Sequence, residues 1–192
     1  MALIYPTDTI GVCLIVLALP FQSTLWETQT RFEGVMLIGV VSDTHGFYDP
    51  RVPPLLDGAE HILHAGDIGT GQIIEQLSKI APVTAVRGNN DREGPESEFP
   101  EVETIELGGC RIYLTHIVKV PKEGDEAGLA AYLKHGADAV VFGHSHMAFH
   151  EERGGLTFFN PGAAGKRRFK VVPSIGLLEL EPGRVEGRLL VL

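Results

Sequence analysis

Residues 35–46 read VMLIGVVSDTHG, an apolar run that breaks off abruptly into Asp43, Thr44, His45 and Gly46. Gly34 and Gly46 bound a stretch that is mostly aliphatic and β-branched, the pattern of a strand buried on both faces in a layered α/β fold. The polar cluster then falls at the carboxyl end of that strand. Residues two apart in an extended segment point the same way, so Asp43 and His45 are expected to present a carboxylate oxygen and an imidazole nitrogen to one point. Such a pair chelates a divalent metal.

Outward from this stretch, strand-then-polar-turn recurs. Residues 60–65, EHILHA, form a second apolar strand that ends at Gly66 and Asp67. Thr70 is expected to cap a helix with Ile73, Ile74, Leu77 and Ile80 inward and Glu75 paired with Lys79 outward; Pro82 stops it. Residues 83–86 make a third strand, ending in Arg87, Gly88, Asn89, Asn90 and Asp91. Strands separated by helices imply parallel βαβ units whose functional loops gather at one edge of a sheet. The helix expected between the first two strands is short, because Pro50, Pro53 and Pro54 weaken it.

The second half has another rhythm. Residues 92–100 read as an acidic surface loop. Residues 102–107 and 111–115 alternate about a Gly108-Gly109 turn, a hairpin that delivers His116. A helix is expected over about 124–135, with Leu129, Tyr132 and Leu133 inward and Gly136 as its stop. Residues 139–142 form a buried strand that delivers Gly143, His144, Ser145 and His146, and short strands follow around 147–151, 156–159, 174–180 and 184–191. Two packed sheets flanked by helices accommodate both rhythms.

With 192 residues the chain suits one domain with a sizeable core. Its 44% hydrophobic and 21% charged residues describe a globular composition. A formal net charge of −9 argues against a nucleic-acid backbone as obligatory partner. An acidic protein that handles anions needs a local positive centre, which bound metal can supply. Cys13 and Cys110 stand far apart in no ligand spacing, which suits free thiols in a reducing cytoplasm.

Residues 1–35 differ from the rest. IGVCLIVLALPF, residues 10–21, is too short to cross a bilayer, lacks a preceding Lys or Arg, and is followed by no clear cleavage site. Met36 opens the strand that the domain needs. The extension therefore reads first as dispensable and translated from an upstream start, second as an interfacial or packing segment, and third as a secretion signal. Residues 36–192 read as a single domain.

Seven polar groups, Asp43, His45, Asp67, Asn89, His116, His144 and His146, each follow an expected strand. Carboxylate, amide and imidazole without thiolate suit Mn²⁺, Fe, Zn²⁺ or Ni²⁺ rather than a structural zinc site. Seven groups exceed one ordinary site and fit two metals about 3.5 to 4 Å apart sharing a carboxylate.

The ordered series SDTHG, HAGD, RGNND, LTH and GHSH, with NPG beyond, resembles the calcineurin-like metallophosphoesterases, most closely their small bacterial and archaeal phosphodiesterase branch. The resemblance covers nearly all of residues 36–192. It implies an α/β fold, a four-layer α-β-β-α sandwich of two mixed sheets. It also implies that Asp43, His45, Asp67 and His146 hold one metal and Asp67, Asn89, His116 and His144 the other, with Asp67 as bridge. Mn²⁺ is the first expectation, with Ni²⁺, Fe or Zn²⁺ open. The implied reaction is hydrolysis of a phosphodiester, with phosphomonoesters open, in which a hydroxide bridging the metals attacks phosphorus, with Asp67, Asn89 and His116 as the catalytic set. The expected partner is a small phosphate-ester substrate, in the cytoplasm and without a membrane, and a homodimer stays open. The alternative is a catalytically weak metal-binding scaffold on the same fold, as in the retromer scaffold subunit.

Two departures stand out. Many phosphatases of the family carry His directly after the metal-binding Asn, and the small phosphodiesterases often carry Cys; here Asn90 stands there and offers a hydrogen bond but no proton. After His116, IVKV replaces the usual Gly. Around the ligands, His64 reads equally as a group that orients a ligand or as a strand-end histidine. Asn160 of the NPG turn, and Arg167 with Lys166 and Arg168, are candidates to support the ligands or to stand near substrate, against the plain readings of a tight turn and a solvated basic face. Asp91 is expected to fix the Asn89 loop by hydrogen bonding. His61, His135 and His150 read as surface or core residues.

Overall fold

The computed structural model describes residues 34–167 and 171–192. The extension expected over 1–35 lies outside the described residues except for Gly34 and Val35, and so does Arg168. The first sheet holds β1 (Met36–Val41), β2 (His61–His64), β3 (Val83–Ala85), β9 (Ser174–Glu181) and β10 (Arg184–Val191) in the order β10-β9-β1-β2-β3. Its first three strands are parallel, as the strand–helix–strand rhythm requires, and β9 and β10 add antiparallel. The second sheet runs β4-β5-β6-β8-β7, from β4 (Val102–Leu107), β5 (Cys110–Thr115), β6 (Ala139–Val141), β7 (Phe149–Arg153) and β8 (Leu156–Asn160). Both sheets are mixed, because β5, β6 and β8 are parallel while β4 and β7 flank them antiparallel.

Alternation along each strand divides its side chains between two cores. Ile38 and Val40 of β1 join Leu63, Ile112, Leu114, Val141, Phe159 and Leu178 between the sheets. Val41 faces the other way, into a core with Ile62 of β2, Val52 of α1 (Val52–Leu55), and Ile73 and Leu77 of α2 (Gly71–Leu77). Beyond the second sheet, Val140 and Phe158 pack with Leu129 and Tyr132 of α3 (Glu126–Leu133). Helices, sheet, sheet, helix: the four layers expected of an α/β sandwich are present. Among the described residues no helix is long and apolar enough to cross a membrane.

Local expectations differ in four places. Thr70 does occupy the cap position of α2 in extended conformation, but its side chain makes no capping hydrogen bond. Lys79 reaches Gln76 Oε1 at 3.1 Å. Leu133 is exposed, because α3 covers the sheet with only Leu129 and Tyr132. Within the acidic loop, Pro95–Glu98 winds into a 3-10 turn that buries Glu96.

Candidate metal centre

All seven ligand candidates lie in loops just past β1, β2, β3, β5 and β6. Asp43 and His45 do not lie in an extended segment, contrary to the alternation argument: β1 ends at Val41 and both residues turn left-handed. The only non-glycine residues with positive φ among the described residues are Asp43 (54°), His45 (48°), Asp67 (54°), His144 (68°) and His146 (58°). Each costs of order 1 kcal/mol. Five of seven candidates share a left-handed conformation that is uncommon even for Asp and His, which adopt it more readily than most side-chain-bearing residues, so the fold is spending stability to aim them.

Backbone hydrogen bonds hold the first two loops edge to edge: Asp43 N to Gly66 O at 2.9 Å, His45 N to Asp67 O at 2.9 Å and Gly46 N to Ile68 O at 2.8 Å. Asp91, buried, ties in the third loop. Its carboxylate accepts from Ile68 N (2.9 Å), Gly69 N (3.0 Å) and Gly88 N (2.9 Å), the anchoring role expected of it. Gly88 has to be glycine, since a Cβ there would lie 2.1 Å from Asp67 Oδ1. Gly143 is under the same constraint: its Cβ would meet Ser42 Oγ at 2.0 Å.

The ligand atoms converge in two overlapping groups, Asp43 with His45 and His146, and Asp43 with Asp67 and His116, each within 4.8 Å. In the first, His45 Nε2 and His146 Nε2 face each other at 3.3 Å, and His146 Nε2 lies 3.2 Å from Asp43 Oδ1. In the second, Asp67 Oδ2 lies 3.4 Å from His116 Nε2 and 3.8 Å from His45 Nε2, so one carboxylate oxygen faces both groups. Asn89 Oδ1 stands 3.2 Å from His116 Nε2. The His144 ring is exposed and packs edge-on against the His116 ring, centroids 5.3 Å apart, while its backbone N–H donates to Asp43 Oδ2 at 3.1 Å.

Charge explains why this cluster suits a cation. Burial pushes the Asp43 carboxyl above its ordinary range, against the pull of the Ser42 hydroxyl and the His116 and His146 rings. Its Oδ1 is the one fully buried side-chain polar atom among the described residues without a hydrogen bond, although His146 Nε2 is 3.2 Å away. A buried carboxylate oxygen without a hydrogen bond, set among imidazoles, is a donor set that fits a divalent cation. Asp67 behaves differently. Burial raises its pKa, but hydrogen bonds from His116 and Asn90 outweigh that and hold it well below the carboxylate range. His116 Nδ1 must donate to the Ala65 carbonyl, 2.7 Å away, so Nε2 is the atom aimed at Asp67 and Asn89 and the one available to a metal. Burial would lower the His116 pKa, but the bonds to Asp67 and Ala65 raise it.

The outer candidates sort less evenly. Asn90 is exposed, and it clamps Asp67 through its backbone N–H (2.8 Å to Oδ1) and its amide (2.6 Å to Oδ2). Asn160, a candidate to stand behind the ligands or near substrate, is fully buried. It donates to Gly143 O (2.7 Å) and Ser145 Oγ (3.2 Å) and accepts from Gly162 N (2.9 Å), which pins the His144–His146 loop. Arg167 is exposed, and Lys166 Nζ lies 5.6 Å from the centre of the Phe47 ring. The His64 ring bonds the Thr44 hydroxyl and the Gly66 backbone N–H. Sequence reasoning missed Ser42, whose buried hydroxyl donates to Asp43 Oδ2 at 2.7 Å; only its place next to a ligand hinted at it.

Residues 36–183 match the calcineurin-like phosphoesterase superfamily domain. The chain belongs to that superfamily. A probable metallophosphoesterase of Methanothermobacter thermautotrophicus is 32% identical over 81% of this chain and 92% of its own length. The phosphoesterase fold also superposes on a solved archaeal phosphodiesterase at 26% identity, with a TM-score of 0.62 over 82% of this chain and 100% of the other. Vps29 of Entamoeba histolytica, solved in complex with zinc, gives 26% identity and a TM-score of 0.61 over 81% of this chain and 99% of that one.

Proposed function

We propose that this calcineurin-like phosphoesterase hydrolyses phosphodiester bonds at a two-metal centre, in which Asp43, His45, Asp67 and His146 hold one divalent ion and Asp67, Asn89, His116 and His144 the other. The observation that carries this reading is Asp67 Oδ2 facing both His45 and His116, the arrangement a shared carboxylate needs. Ions held there would supply the acidity that activates water near neutral pH and the positive charge that a phosphoryl group requires. Mn²⁺ is the first choice by ligand chemistry, with Ni²⁺, Fe and Zn²⁺ next.

The chain's own residues do the remaining work. His116, fixed by Ala65 O, keeps Nε2 directed into the centre. Asn90 stabilises the charged form of Asp67 and brings no transferable proton to the site. Esters whose leaving group departs without protonation are therefore the preferred substrates. The same lack of a proton donor and the likeness to Vps29 favour a second reading, a metal-binding scaffold with little turnover. One experiment separates them. Reconstituted with Mn²⁺ or Ni²⁺, the purified chain is expected to hydrolyse an activated aryl phosphodiester, and Asp67→Ala to bring the rate to background. Two bound metals per chain with no hydrolysis under any divalent ion would leave the scaffold.

A further inference from the structure

Between the metal ligands Asp43 and His45 sits Thr44, buried and bonded in two directions. Its Oγ1 lies 3.0 Å from His64 Nε2 and donates to Ile68 O at 2.9 Å. A hydroxyl has one proton, and the Ile68 carbonyl can only accept it, so the His64 bond must run from Nε2–H to Oγ1. The other ring nitrogen agrees: His64 Nδ1 receives the Gly66 N–H at 3.3 Å and therefore carries no proton. His64 is thus locked as the neutral Nε2–H tautomer, and full burial, which depresses its pKa to about 4, keeps it neutral. The result is a one-way chain from His64 through Thr44 to Ile68 O, the same carbonyl that accepts the Gly46 N–H at 2.8 Å.

Two left-handed residues flank Thr44, and their side chains must aim inward against the preference of the backbone. The side chain of the residue between them adds a further anchor to a turn whose flanking backbone N–H groups are already bonded to the Asp67 loop. We propose that His64, acting through Thr44, is a positioning residue for the half of the metal centre built from Asp43, His45 and His146. The inference rests on the two-metal reading. His64 lies at the end of β2 and reaches the β1 loop through its bond to Thr44 Oγ1, so it acts on the ions by way of that turn.

The test is a two-step Mn²⁺ titration of the metal-free full chain by calorimetry. His45→Ala identifies the step that belongs to the Asp43, His45 and His146 half. Thr44→Val, which keeps the side-chain shape and removes the hydroxyl, is expected to weaken that step about 10- to 100-fold and leave the other unchanged. Thr44→Ser restores wild-type binding. Equal weakening of both steps, as a loss of general stability would produce, overturns the inference, and so does a serine variant no better than valine. Should Thr44→Val fail to fold, His64→Gln, a neutral donor of similar reach, is expected to keep the first step and His64→Leu to lose it; equal behaviour of these two also overturns it. A wild type that binds no pair of ions is a separate result, which sinks the two-metal reading itself.

Discussion

The two sheets contribute to the centre in unlike ways. From the first sheet come Asp43 and Asp67, buried carboxylates in loops bound to each other by backbone bonds, by Asp91 and by the His64–Thr44 chain. From the second come His116, buried and fixed by the Ala65 carbonyl, and the His144–His146 loop, exposed in part and held chiefly by Asn160 from behind and by Asp43 Oδ2 in front. The difference follows from charge. Two carboxylates cannot be kept out of water near each other unless every neighbouring atom is fixed, whereas neutral imidazoles tolerate an open rim. The anionic half forms a buried floor, and the His144–His146 loop lies at its partly exposed rim.

This contrast can be broken at its strongest point. Asp91→Ala would strand three backbone donors in the floor, two of them buried, a loss of about 3 kcal/mol or more, since bonds to a charged acceptor contribute roughly 1.5 to 3 kcal/mol each. Urea unfolding is expected to show it, together with loss of both metal steps. A mild effect would mean that the floor is not held in this way.

Acid provides the next test. The folded pKa of His64, about 4, lies below its ordinary value of 6.5, so the unfolded chain takes up a proton that the native chain refuses. The stability this group contributes is complete above about pH 6.5 and drains away as pH falls toward 4, by roughly 3 kcal/mol in all. Chemical denaturation of the metal-free chain between pH 7 and 4 should show this slope, and His64→Gln should flatten it. A slope that survives the substitution belongs to other groups.

The smallest effect is expected in the open half. Asn160→Ala releases the loop from behind and should cost about 1 to 2 kcal/mol. Because only the rim is loosened, the substitution should weaken Mn²⁺ binding while the Asp91-dependent floor keeps its cooperative unfolding. If Asn160→Ala destabilised the fold as much as Asp91→Ala, floor and rim would be one unit.

Much of the architecture was legible in the residues. Strand positions followed from apolar runs and alternation, and the parallel order β1-β2-β3 followed from the intervening helical periods. Errors arose where a feature depends on what lies across from it. Leu133 fits the inward stripe of a helix, but α3 has too little sheet beneath it to cover that side. For Asn160 the motif left open a place behind the ligands or one against substrate, and its amide is turned into the fold toward the Gly143 carbonyl.

By itself, the sequence determined which chemistry was at hand: seven oxygen and nitrogen ligands after five strands, because strand length and burial are set by neighbours along the chain. Tertiary structure alone decided how they are aimed. The left-handed turns at Asp43, His45, Asp67, His144 and His146, the tautomer of His64 and the ring orientation of His116 are imposed by partners as distant as 101 residues, as in the bond from His144 N to Asp43. A loop dihedral has no local signature when the force that holds it comes from another loop.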